Sequence, residues 1–70
     1  NPFSSDLTVT SSKTISSIQL MDLTGKTVLL QENVNTTECT LHLATLEEGV
    51  YIIQIQTESE IIREKIIKRK

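Results

Sequence analysis

Aromatic side chains are nearly missing from this sequence: one Phe (Phe3), one Tyr (Tyr51) and no Trp among 70 residues. Two isolated rings cannot make the stacking platform that single-stranded nucleic acid requires. Any core must therefore be filled by aliphatic side chains. The only glycines, Gly25 and Gly49, lie twenty-four residues apart, which rules out a glycine-rich phosphate loop. Cys39 is the sole cysteine, so no internal disulfide can form. His42 is the sole histidine, and a metal centre built on one imidazole with no in-phase thiolate is not expected. No apolar run approaches the roughly 20 residues that span a bilayer as a helix, and no secretory leader pattern is seen. The first residue is Asn1 rather than Met, which leads to the expectation of one domain, residues 1–70, cut from a longer protein.

What is present favours strands. Ten Thr, nine Ile, four Val and seven Ser stand against a single Ala, Ala44. β-Branched side chains lose rotamer freedom in a helix and pack well on a pleated surface, so an all-β domain is expected. A chain of this size buries only about 60% of the surface its unfolded form exposes, so the core is thin. The net charge of −2 conceals a division: residues 1–62 carry two basic and eight acidic side chains (−6), and residues 63–70, "REKIIKRK", carry five basic and one acidic (+4). A basic end segment suits an acidic protein face, an anionic membrane or nucleic acid. Lysines on an end strand also keep it from pairing with other chains.

Period-two alternation divides the chain into six short strands. "DLTVTSS" places Leu7 and Val9 on one face, and "TSSKT" reads as a polar turn. "ISSIQLMDL" puts Ile18 and Leu20 in phase, with a bulge or strand start at Ser16-Ser17. "DLTGKTVLLQ" reads as a hairpin in which Gly25 takes the positive φ after a type I turn. Val28 and Leu30 are expected to face inward, with Leu29 and Met21 on the other face. "ENVNTTE" is the longest polar connection, and its Asn35-Thr36-Thr37 is a common chance match to a glycosylation triplet. "ECTLHLATL" alternates Cys39, Leu41 and Leu43 against Thr40 and His42, giving a core thiol and an outward imidazole. After Gly49, Gln54 and Gln56 fix the outer face, so Tyr51, Ile53 and Ile55 face in. "EIIREKIIKRK" reads as a strand on its four isoleucines, with a short helix as the alternative.

No catalytic arrangement emerges. Cys39 and His42 fall on opposite faces, and the adjacent Glu47 and Glu48 diverge too far to flank one bond as acid and base. The chain reads as a binding or addressing module and not an enzyme, with no catalytic residue, no metal, no cofactor and no small-molecule substrate.

With these residues in view, nearly the whole chain resembles a C-terminal sorting domain of the type nine (Por) secretion system. Asn1-Pro2 followed by Leu7 and Val9 is similar to the family's N-P-x-x-x-x-L-x-[IV] opening. Ile18 to Val28 resembles its central hairpin ending in D-x-x-G-K-x-V, here with Gly25 and Lys26. Leu43, Leu46, Gly49 and Tyr51 match L-x-x-L-x-x-G-x-Y, and Lys65-Ile66-Ile67-Lys68 resembles the K-x-[IV]-x-K ending. Two departures are Met21, where an aromatic is usual, and "TESE", where an Asn-Gly-like turn is common. The resemblance implies an immunoglobulin-like antiparallel sandwich of two sheets and six to seven short strands. It also implies an export signal that takes an attached N-terminal cargo protein from the periplasm through an outer-membrane translocon of a Gram-negative cell. A surface sortase-like peptidase then removes it, and cargo is commonly joined to lipopolysaccharide. Within that picture Lys65, Lys68, Arg69 and Lys70 are expected to be read by the translocon. Asn1, Pro2, Gly25, Lys26, Gly49 and Tyr51 are expected to hold the fold, and the isolated domain to be monomeric. Two other readings are an adhesive or carbohydrate-binding sandwich retained on a secreted protein, and a nucleic-acid-binding barrel. The first lacks exposed rings, and the second is opposed by the acidic body.

Overall fold

A computed structural model describes residues 2–3 and 5–69, with side chains from Ser5 to Arg69. Among the described residues there are five strands and no helix: β1 (Pro2–Phe3), β2 (Asp6–Asp22), β3 (Thr27–His42), β4 (Gly49–Thr57) and β5 (Ile61–Lys68). They form one sheet in the order β1-β5-β4-β2-β3, in which β1 runs parallel to β5 and every other neighbour is antiparallel. The all-β expectation holds, and the end segment is a strand.

The expected two-sheet sandwich of six to seven strands is not the hydrogen-bonded arrangement. Two of the expected breaks are bends inside continuous strands. Thr10 pairs with Glu38, Ile15 with Thr36 and Ser17 with Glu32. Four residues of β2, 11–14, thus stand opposite one of β3, and Ser16 stands opposite three, 33–35. Such unequal counts are bulges, and they bend and twist a ribbon without cutting it. Asn33 and Asn35 sit at φ 58° and 55°, the left-handed region that asparagine tolerates better than most residues. The polar stretches "TSSKT" and "ENVNTTE" are the two sides of this bend, where composition alone suggested a turn and a loop.

The bend lets one sheet cover itself. Residues between Ile15 and Met21 of β2 pair with both β3 and β4, whereas residues 6–10 pair with β3 alone. This outer half of the ribbon carries Leu7 and Val9 to a space they share with Ile53, Ile55 and Ile66 of β4 and β5. Between the two layers lie Ile15, Ile18, Leu20, Leu41 and Leu43, each at most 1% exposed. Burying each such side chain contributes roughly 1.5–3 kcal/mol, so these few aliphatics supply most of the driving force. Tyr51, Ile53 and Ile55 face inward as the alternation predicts, and Cys39 packs partly buried against the same cluster.

One phase differs from the sequence reading. Leu20 pairs with Leu29 but Met21 with Thr27, so Val28 is an extra residue in β3. Because a single inserted residue reverses every later side chain, Leu29 shares the face of Leu20 and packs against the core. Leu30, expected inside, is 52% exposed. Met21 does point away from the core, beside Ile52 on β4.

Candidate functional site

Three turns set the position of the basic end strand. At the β2–β3 hairpin the Gly25 N–H donates to the Asp22 carbonyl at 3.0 Å, and the Asp22 N–H donates to the Lys26 carbonyl at 2.9 Å. Gly25 takes φ 90°. This is the type I turn with a following glycine bulge that the sequence implied. Asp22 fastens it: its Oδ1 accepts from the Thr24 hydroxyl at 2.6 Å, the Thr24 N–H at 2.9 Å and the Lys26 N–H at 3.0 Å. The Thr24 hydroxyl, with the Lys26 amide beside it, favours the ionised carboxylate and holds Asp22 below the usual aspartate range.

Gly49 and Tyr51 set the start of β4, beside the same hairpin, where Asp22 pairs with Tyr51. Gly49 has φ 153° with open space around its α-carbon, so its conformation, not crowding, requires glycine. Tyr51 is 7% exposed, and its hydroxyl donates to the Glu47 carbonyl at 2.7 Å. The ring fills the core while its tip closes the 43–49 connection onto β4. Leu43 lies fully inside, and the Leu46 N–H turns back to its carbonyl at 3.1 Å. Gly25 and Gly49 thus lie at the two turns with positive φ, and Tyr51 lies in the core. An open groove of about 380 Å³ runs along this connection between Asp22, Val28 and Thr45–Tyr51.

The third turn, "TESE", is closed by Thr57. Its N–H donates to the Glu60 carbonyl at 2.9 Å, and its hydroxyl oxygen accepts from the Glu60 N–H at 3.1 Å. Thr57 thus does locally what an Asn-Gly turn does by backbone preference. β5 returns along β4 without a register shift, from Gln56–Ile61 to Gly49–Lys68.

Strand alternation then divides the basic residues. Arg63 and Lys65 face outward and are exposed, with the Arg63 Nε donating to Gln54 Oε1 at 2.6 Å. Lys68 takes the inner face, opposite Gly49; it is 5% exposed, and its Nζ donates to the Arg69 carbonyl at 3.2 Å. Arg69 is exposed beyond the strand end. Of the four lysine and arginine positions singled out from sequence, Lys65 and Arg69 are thus accessible and Lys68 is covered, and Lys70 lies outside the described residues. The sequence reading omitted Arg63, although a residue two positions before Lys65 on a strand shares its face. Among the fold-holding positions, Pro2 lies in β1, Lys26 closes the hairpin through its backbone, and Asn1 lies outside the described residues.

β5 is also an edge. Only Ile67 and Lys68 are paired on its outer side, with Pro2 and Phe3, so Ile61–Ile66 face no strand there among the described residues. Elsewhere, His42 is exposed and its Nδ1 lies 3.2 Å from Asp6 Oδ1. No group of three or more His, Cys, Asp or Glu among the described residues could hold a metal ion.

Comparison with known proteins matches residues 1–69 to a family described as the secretion system C-terminal sorting domain. No curated protein and no solved structure matches.

Proposed function

Because the chain belongs to the C-terminal sorting domain family of the type IX secretion system, we propose that it is a folded address label, read at the outer membrane and then removed. Family membership makes it a sorting signal with a linked cargo and implies export to the cell surface or beyond. The finer course is our reading. The cargo crosses the periplasm and passes an outer-membrane translocon that recognises the basic end, after which a sortase-like peptidase severs the domain. The self-covering ribbon supports a sandwich-like label of the family's immunoglobulin-like kind.

The observation that carries this reading is the placement of charge. Five of the seven basic residues fall in the last eight positions, and β5 holds Arg63 and Lys65 outward on a stretch that β1 leaves unpaired. Complementary charge would steer encounter with an acidic translocon surface and set its register. The hydrophobic core and the three turns keep that strand in place.

The test fuses a secretion signal and a reporter to residues 1–70 in a host with the machinery. Reporter at the surface or in the medium, with the domain clipped off, is the expected outcome. Lys65→Ala with Arg69→Ala should keep the fold, by circular dichroism, yet leave the reporter in the periplasm. Lys68→Ala is scored separately because that side chain is covered. Periplasmic retention of the unmodified fusion would overturn the reading.

A further inference from the structure

We propose that the edge of β5 from Ile61 to Lys65, unpaired on its outer side among the described residues, is a docking site for an extended strand of a partner protein carrying carboxylates at alternate positions. The inference rests on the sorting reading for its biological setting but not for its chemistry. It starts from the hydrogen-bond ladder. The Thr57 N–H donates to the Glu60 carbonyl, so that pair is a hydrogen-bonded one. In an antiparallel ladder such pairs alternate with non-bonded ones. The unbroken register therefore makes Ile62, Glu64 and Ile66 bond to β4 and turns the backbone groups of Ile61, Arg63 and Lys65 toward the open side. Pro2 and Phe3 already take the last two positions, at Ile67 and Lys68. An incoming strand would continue this pairing along the remainder of β5.

The same three residues carry the outward side chains. A strand added at this edge meets Ile61, Arg63 and Lys65 on one face, so acidic side chains at i and i+2 would lie beside the two cations. Backbone pairing supplies affinity, and alternate side chains supply selectivity. A second copy of the chain fits poorly. Antiparallel self-pairing about Glu64 places Arg63 against Lys65 twice, and like charges directly opposite are destabilising. The other free edge, β3, is interrupted by the bend at Asn33 and Asn35, which spoils a flat template. The charges on β5 thus act as a selective guard: they repel a basic edge, stay uncompensated against a neutral one and are paired by an acidic one.

The test uses the 70-residue chain with two synthetic eight-residue peptides, one alternating Glu with Val and one alternating Lys with Val. Amide exchange of Arg63 and Lys65 should slow at least tenfold with the Glu peptide at saturation and stay unchanged with the Lys peptide. Arg63→Pro removes an edge-facing N–H without removing a bond to β4, so it should fold yet lose this protection. Arg63→Glu with Lys65→Glu should reverse the preference between peptides. No protection by the Glu peptide, equal protection by both, or self-association of the chain that protects the same amides would overturn the proposal. In the secretion assay, export of the Arg63→Pro fusion at the unmodified level would also overturn it while leaving the sorting reading intact. Failure of the unmodified fusion would strike the sorting reading alone.

Discussion

At the scale of the residue, two side chains do work that composition does not announce. Tyr51 unites the core with the 43–49 connection through one hydrogen bond to Glu47. Tyr51→Phe keeps the ring and leaves that carbonyl without its donor, so denaturant unfolding should show a loss of about 1 kcal/mol. Hydrogen exchange should rise in the connection first, because the ring still fills its place. Asp22 makes the other link, as the acceptor for three groups of the Gly25 hairpin. Its folded-state pKa is depressed, so its contribution to stability is complete above the unfolded aspartate value of about 3.9 and is lost as pH falls through the lower folded value. Thermal unfolding followed below pH 5 should show this loss in the unmodified chain. Asp22→Asn should be less stable at neutral pH and lack that portion of the acid dependence. An identical pH profile for the two proteins would refute the assignment.

At the scale of the element, the six alternating segments were legible because one face of each is buried and period two survives in short runs. The merging of four of them into two long strands was not. Polar residues serve a bulge as well as a loop, and only the paired residues on either side show that Ser11–Thr14 and Asn33–Asn35 are bulges inside continuous strands. The same limit hid the phase after the hairpin. Gly25 announced its turn, but the extra residue at Val28 is visible only against Leu20. Cys39, Leu41 and the inward row of β4 were read correctly because no bulge intervenes between them and their turn. The fate of Lys68 was also open to deduction, since Ile66 and Lys68 share parity on β5, yet a charged residue near the end is readily taken as solvated. A pair of substitutions checks the phase. Leu29→Ala should cost about 2–3 kcal/mol, as removal of a packed leucine does. Leu30→Ala, at 52% exposure, should stay within about 0.5 kcal/mol. Equal costs in chemical denaturation would contradict the bulge.

At the scale of the whole molecule, the question is whether the address is read from a folded surface or from a linear string of residues. The ribbon of β2 and β3 belongs at one end to the sheet and at the other to its cover, so neither layer can form alone, and unfolding should be a single cooperative event. For 70 residues, total stability is expected at roughly 3.5–10 kcal/mol. Ile18, fully buried where β2 meets β4, is then decisive: Ile18→Ala should cost about 2–5 kcal/mol, a large share of the whole. The substitution lies far from Arg63, Lys65 and Arg69 in sequence and leaves each of them in place. If the translocon reads β5 as an ordered edge, the Ile18→Ala fusion should lose near-native circular dichroism at 37 °C and surface display together. Leu23→Ala, at a residue 66% exposed in the hairpin turn, should keep both. Undiminished display from an unfolded Ile18→Ala domain would mean that the basic sequence is recognised without its fold, and that the core serves some step other than recognition.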